Sequence, residues 1–238
     1  MIIDDQIKVP RNSIKYILFQ RTHYLKNNYI FCVLTQLGLN NFFYKFTVNI
    51  KSIIFKSQII IEYNKDLFKE YSIIKPFLPS DIKSILDIGC GVAGIDVLLS
   101  KHYENNVDIF LLDKTSVDDK VYYHFEKKGS FYNSLNVSKD LLEINGIKPL
   151  KIHLQEATED NRIKFNTKFD LIISFISWGF HYPISTYLDE VYEKLSAYGV
   201  LIVDIRRGTG EENEIREKFG NCNIIFKTPK LIRVLALK

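Results

Sequence analysis

One segment limits this chain more than any other. Residues 84–88 form a short, mostly apolar run that ends in Gly89-Cys90-Gly91, and a helical pattern follows over 93–102. An apolar run of that length, closed by glycine, reads as a strand buried on both faces. Such strands belong to parallel sheets with helices on both sides. The rest of the C-terminal part repeats the alternation. Residues 106–112, 150–154, 169–174 and 200–204 predict four further strands. Helices are predicted through Val137, Leu141 and Ile144 with Gly146 as the stop, over 184–195 with Gly199 as the stop, and over 211–219. Residues 222–227 and 231–237 flank a short turn at Pro229 and predict an antiparallel hairpin. The fold class is therefore α/β, a doubly wound, mainly parallel seven-stranded sheet with an antiparallel C-terminal hairpin. Ligands in such sheets bind at the C-terminal strand ends, at the topological switch point.

Upstream of about residue 80 the pattern blurs. Helices are expected over 13–37 and 64–75, and 42–61 reads equally as strand or helix. Residues 1–79 are taken as a mainly helical extension, an acceptor-site cap or a homodimer contact, and 80–238 as the catalytic domain. The whole chain, 238 residues with 46% hydrophobic side chains, is long enough for both. Its net charge is only +4, with no block of five or more like charges, which argues against DNA or RNA as the main partner. Three cysteines, Cys32, Cys90 and Cys222, fit neither a disulfide framework nor a zinc site. A reducing, cytoplasmic location is expected. The N-terminus lacks a signal-peptide pattern, and the apolar run 29–34 is too short to span a bilayer, so no membrane partner is expected.

The chemistry begins at Asp87-Ile88-Gly89-Cys90-Gly91-Val92-Ala93-Gly94. Glycines here permit a tight turn and close approach of a ligand to the backbone. Asp113 ends the second strand, 24 residues after Gly89. An acid at that place can accept hydrogen bonds from ribose hydroxyls. Gln155-Glu156-Ala157-Thr158 follows the third strand. Together these segments resemble the class I S-adenosylmethionine-dependent methyltransferases, with a Rossmann-like fold, over about 155 residues. The resemblance implies S-adenosylmethionine as cofactor. It implies that Gly89, Cys90 and Gly91 lie under its methionine part, that Asp87 orders the loop or meets its amino group, that Asp113 with Lys114 holds the ribose, that Glu156 and Ala157 lie beside the adenine, and that Ser174 borders the site. One departure is Ala93, where the family often has glycine. A nicotinamide-binding oxidoreductase competes, because Gly94 completes a dinucleotide fingerprint; the placement of Asp87, the Glu156-Ala157 pair and the terminal hairpin favour the methyltransferase.

An acceptor hydroxyl benefits from a base, expected beyond the fourth strand. There stands Ser174-Phe175-Ile176-Ser177-Trp178-Gly179-Phe180-His181-Tyr182-Pro183. It lacks the Asn/Asp-Pro-Pro-aromatic motif of amino-directed DNA methyltransferases. His181 is the first candidate base, with Trp178 and Tyr182 as candidate acceptor contacts. The long connection 116–132 supplies Tyr123 as a further contact and His124 as reserve base. Arg206 and Arg207 follow the fifth strand, and an arginine pair suits an anionic acceptor. No carboxylate set fits magnesium, so a metal-independent reaction is expected. The function expected is methyl transfer to a small acceptor, a hydroxyl of a carbohydrate or related phosphorylated metabolite. A nucleic-acid methyltransferase and a non-catalytic cofactor-binding scaffold are the alternatives.

Overall fold

The computed structural model describes residues 6–21, 24, 40–117 and 132–238. Seven strands form one sheet. They are β1 (Ser84–Ile88), β2 (Asp108–Asp113), β5 (Ile152–Glu156), β6 (Phe169–Ser174), β8 (Leu195–Arg206), β9 (Cys222–Lys227) and β10 (Leu231–Leu237). Their order across the sheet is β5-β2-β1-β6-β8-β10-β9. β5, β2, β1, β6 and β8 run parallel, and β10 pairs antiparallel with both β8 and β9. A two-stranded antiparallel ribbon, β3 (Ser116–Val117) and β4 (Tyr132–Asn133), projects beyond β2. The extended segment β7 (Ser177–Tyr182) lies alongside β8. The strand order reverses between β1 and β6, which places the switch point at the end of the central strand.

Strand alternation separates two cores. Ile85, Ile109, Leu111, Leu171 and Ile173 face one side, and Leu86, Ile88, Leu112, Ile172 and Leu201 face the other. The first side is covered by α4 (Gly94–His102) and α5 (Leu135–Ile144), and also by the N-terminal helices α1 (Ser13–Gln20), α2 (Asn40–Ile54) and α3 (Lys56–Ile74). Ile14, Ile17, Leu18, Val48, Leu67 and Ile74 are all buried in this same core. The second side is covered by α6 (Leu188–Lys194) and α7 (Glu212–Phe219) around the fully buried Trp178.

Four local expectations change. α1 ends at Gln20, and residues 25–37 of the expected first helix lie outside the described residues. The undecided stretch is helical, and α3 begins at Lys56, well before residue 64. The helix expected to stop at Gly199 ends at Lys194. Leu195 already pairs with Phe169, and a register shift follows before Leu171 meets Val200, with Tyr198 left-handed at φ 67°. The apolar stripe ending at Leu195 therefore mixes helix and strand, and a bulge rather than a helix cap uses Gly199. β2 opens at Asp108 because Glu104 and Asn105 both take left-handed conformations that end the preceding helix.

Candidate functional site

The turn after β1 is built from the backbone outward. Gly89, Gly91 and Ala93 have φ of 75°, 55° and 60°. The N–H groups of Gly91 and Ala93 donate to Asp113 Oδ2 and Cys90 O, so the turn is held by its own backbone donors and starts α4 without a side-chain cap. Ala93 adopts the conformation that glycine commonly supplies, at the modest cost of one non-glycine residue in the left-handed region. Gly89 donates its N–H to Leu112 O at 2.7 Å, which locks the turn to β2. A Cβ on Gly89 would stand 1.8 Å from Ser177 Oγ, so the β6–β7 segment packs on the turn as no side chain would allow. At Gly94 the intruder is Tyr63 Oη, 2.0 Å from a Cβ, which seats α3 on the first turn of α4. Gln20, the last residue of α1, reaches Gly91.

Asp113 is the hub. Its Oδ2 accepts Gly91 N–H at 2.8 Å and Asn133 Nδ2 at 2.9 Å, and its Oδ1 accepts Lys114 N–H at 2.7 Å. Cys90 Sγ lies 3.8 Å away. Burial pushes the carboxyl up to about 6, and those three donors hold it below what burial alone would give. Ala157 N–H donates to Asp113 O at 2.8 Å, and Thr115 N–H donates to Glu156 Oε1. The expected adenosine-side residues thus meet at the ends of β2 and β5. Ser138 Oγ donates to Gly91 O at 2.6 Å and fixes the turn from α5.

Behind the turn two carboxyls are buried together. Asp87 is 3% exposed and Asp96, in the first turn of α4, is fully buried. Asp87 Oδ1 and both Asp96 oxygens have no hydrogen-bond partner. Burial and their mutual proximity hold the Asp87 carboxyl well above the usual carboxylate range, and burial raises Asp96 as well. Such a pair shares a proton or awaits a cation. Nearby, Arg21 forks onto Glu70 at 3.3 Å through both terminal nitrogens and lies over the Tyr63 ring.

The opposite wall is the β6–β7 turn. Ile176 has φ 51°, which a β-branched residue rarely adopts. Its N–H donates to Asp204 Oδ2 at 3.2 Å. Asp204 and Arg233, both buried, pair through two hydrogen bonds of 2.7 and 2.8 Å, and the guanidinium covers the Phe175 ring at 4.0 Å. Ser174 Oγ donates to Ile88 O at 2.7 Å and accepts from Trp178 N at 3.1 Å. It ties β1 to β6. Trp178 is fully buried with its indole N–H on Ile184 O at 2.8 Å, which places it in the core. Tyr182 interacts with the Ser177 hydroxyl, and burial raises its phenol. His181 is part-buried, set edge-on to Phe180, with its imidazole pushed down to about 4 by burial and by Arg206. Arg206 donates from Nε to Phe180 O at 2.9 Å and stacks on that ring, whereas the exposed Arg207 enters only through its backbone N–H, bonded to Lys230 O. Tyr123 and His124 lie outside the described residues. Among the described residues, no group of three or more His, Cys, Asp or Glu gathers to hold a metal ion, and no helix is long and apolar enough to cross a membrane.

Compared as a sequence, the chain matches no family model and no curated protein. Compared as a structure, it is similar to a provisional O-methyltransferase of Nostoc punctiforme PCC 73102, with TM-score 0.54 and 16% identity over 71% of this chain and 56% of that one. The fold is that of the class I methyltransferases. The O-MT segment of StiE gives TM-score 0.52 at 11% identity, covering 76% of each chain. The S-adenosylmethionine-dependent methyltransferase SibL, in its apo form, gives 0.50 at 12% identity over 75% of this chain and 58% of its own. The chain therefore spans little more than half the length of two of these three structures.

Sequence reasoning passed over Asn133, Asp96, Gln20 and the Asp204–Arg233 pair. Only Asp96 carried a local signal, an acid inside the apolar run Ile95 to Leu99. The others reach the site through contacts between segments far apart in the chain.

Proposed function

We propose that this chain is an S-adenosylmethionine-dependent methyltransferase acting, without a metal, on a hydroxyl oxygen of a small anionic acceptor such as a phosphorylated carbohydrate. The observation that carries the reading is the convergence on Asp113. A left-handed glycine turn, the strand-end carboxylate that accepts its Gly91 N–H, and Glu156 meet at one edge of a class I methyltransferase sheet. The residues present fit an adenosine-containing cation. Asp113 Oδ2 accepts from Gly91 N–H, Asn133 Nδ2 and Cys90 Sγ, and Oδ1 accepts only Lys114 N–H, which leaves a place on Oδ1 for one ribose hydroxyl; a second would displace a donor from Oδ2. The buried Asp87 and Asp96, both raised by burial and Asp87 also by Asp96, share a proton and keep at most one negative charge behind the glycine turn, where the methionine end would lie.

When bound, the cofactor supplies a methyl group on a positively charged sulfur. The protein's part is positioning, which accounts for most of the barrier lowering in such a transfer. His181 would be the group that accepts the proton of the acceptor hydroxyl when that oxygen is methylated. The imidazole is neutral at pH 7, since burial and Arg206 push it down to about 4, so it can accept a proton, though weakly. An acceptor anion paired with Arg206 would cancel the charge that depresses His181 and make it a stronger base. That is the physical reason for favouring a phosphorylated or carboxylated acceptor over a neutral one.

The test is calorimetric titration with S-adenosylhomocysteine, for the native chain and for Asp113→Ala, beside a titration with NAD. Micromolar binding that the variant loses supports the reading and opens a screen of phosphorylated and nucleotide-linked sugars. Binding of NAD in place of S-adenosylhomocysteine would reject it in favour of a dehydrogenase.

A further inference from the structure

α2 turns its apolar side outward. Phe46, Ile50 and Ile53 follow at i, i+4 and i+7, which places them in one row along the helix. They are 54%, 39% and 63% exposed, and Ile54, Phe55 and Ile61 extend the row at 68%, 48% and 61%. Val48, on the opposite side of α2, is fully buried, so the helix is seated on the core by its other face. An exposed apolar row of this extent marks an interaction surface.

Charge identifies the kind of partner. Residues 6–61 hold six Lys, two Arg and no Asp or Glu, in a chain whose net charge is only +4, so the remainder is net acidic. The absence of any block of five or more like charges conceals this asymmetry. Lys51 and Lys56 stand beside the apolar row. Their butyl stems can lie along apolar surface while the ammonium groups stay in water. A helix with Phe and Ile on one side and only Lys among its own charged residues, with the first acid after it at Glu62, beyond Ile61, suits the boundary between lipid headgroups and acyl chains. A second copy of the chain is disfavoured, because a two-fold contact would lay one basic face on another. Nucleic acid is disfavoured because four of the six exposed side chains in the row are Ile, which offer bases nothing to stack on.

We propose that the α2 face centred on Ile50, Ile53 and Ile54, with Lys51 and Lys56, docks this protein peripherally on an anionic lipid surface. The expectation of no membrane partner rested on the lack of a spanning segment, which does not bear on this mode of attachment. The proposal is independent of the methyltransferase reading. α1 packs against α2, and its last residue, Gln20, reaches Gly91. A docked α2 would therefore hold the glycine turn near the lipid surface.

The experiment is co-sedimentation of the full chain with vesicles of phosphatidylglycerol mixed with phosphatidylcholine, and with vesicles of phosphatidylcholine alone. The proposal expects binding to the anionic vesicles, weakened by salt and much lower on the neutral ones. The double variant Ile53→Ser, Ile54→Ser should bind roughly tenfold more weakly or worse with an unchanged melting temperature. Equal binding to both vesicles, or no loss in the variant, would overturn it. So would a fall in the variant's melting temperature with no vesicle binding by the native chain, since the row would then be packed by the chain itself. Self-association or duplex DNA binding in place of vesicle binding would overturn it too.

Discussion

The two walls of the candidate site are built by different means. The β1–β2 wall is local and made of backbone. Its glycine turn, Asp113 and the paired N–H groups lie within 30 residues of chain and hold one another by hydrogen bonds of 2.7–2.8 Å. The β6–β8 wall is long-range and made of side chains. A strained Ile176 is held by Asp204, and Asp204 is held by Arg233, 29 residues further on. The first wall presents groups that a cofactor shared by many acceptors would need. The second sets the position of Phe175, His181 and Tyr182, where an acceptor unique to this protein would sit. Under the proposed function, recognition of a common ligand would be carried by a motif, and recognition of a particular one by tertiary pairing.

The sharpest way to break that contrast is to remove Arg233. Arg233→Met leaves Asp204 buried without its cation, and loss of one partner of a buried pair costs about 3–5 kcal/mol. Urea unfolding should show that loss, and the double variant with Asp204→Leu should recover much of it, because the uncompensated charge is then gone. If the single variant is as stable as the native chain, the pair does not hold this wall. On the other wall, Asp113→Asn keeps the size of the side chain and removes its charge. Charge-assisted hydrogen bonds contribute about 1.5–3 kcal/mol each, so S-adenosylhomocysteine affinity should fall roughly tenfold to a hundredfold. An unchanged affinity would detach Asp113 from the cofactor.

These contrasts explain what could be read in the residues beforehand. The strands Ser84–Ile88, Phe169–Ser174 and Leu231–Leu237 lie where the apolar runs placed them, because strands buried on both faces have few other ways to be satisfied; Cys222–Lys227, at the sheet edge and without a buried residue, lies where the turn at Pro229 placed it. The turn and Asp113 were legible because their partners are near in sequence or set by strand register. α2 was illegible for the opposite reason. Its apolar row faces outward, so its periodicity does not report the core that Val48 reaches. Asn133 reaches Asp113 across a connection with no local pattern, and Trp178, although the chain's one tryptophan and in a suggestive segment, fills the core with Leu188 and Val191 of α6.

A subtler separation of the walls comes from pH. Asp113 has its folded-state carboxyl pushed up to about 6. As a raised carboxyl it favours the folded protein at low pH, and that contribution is lost as pH rises from about 4 through about 6. Cofactor binding should run the other way, because ribose hydroxyls donate to the ionised form. Affinity for S-adenosylhomocysteine should therefore be level near pH 8 and weaken below about pH 6, by up to about tenfold per unit. Titrations across that range check it, with Asp113→Asn as the control that should flatten the profile. His181 stays neutral throughout, since its imidazole is pushed down to about 4, so a residual slope in the control would point to the buried Asp87 and Asp96 pair.

The smallest expected effect divides two neighbours that the sequence presents as equivalent. Arg207 is exposed and held only through its backbone N–H, so Arg207→Ala should change stability by no more than about 0.5 kcal/mol. Arg206 packs its guanidinium on Phe180 and hydrogen-bonds that residue's carbonyl. Arg206→Ala removes a charge-assisted hydrogen bond and a stacking contact beside His181. It should also release the imidazole upward from about 4 toward the ordinary histidine value, because one of the two causes of its depression is gone. NMR titration of His181 reads that shift directly. A rise in Arg206→Ala with none in Arg207→Ala assigns the charge facing the acceptor wall to Arg206 alone. Equal behaviour of the two variants would mean that burial, and not the arginine, sets His181, and the argument for an anionic acceptor would lose its electrostatic basis.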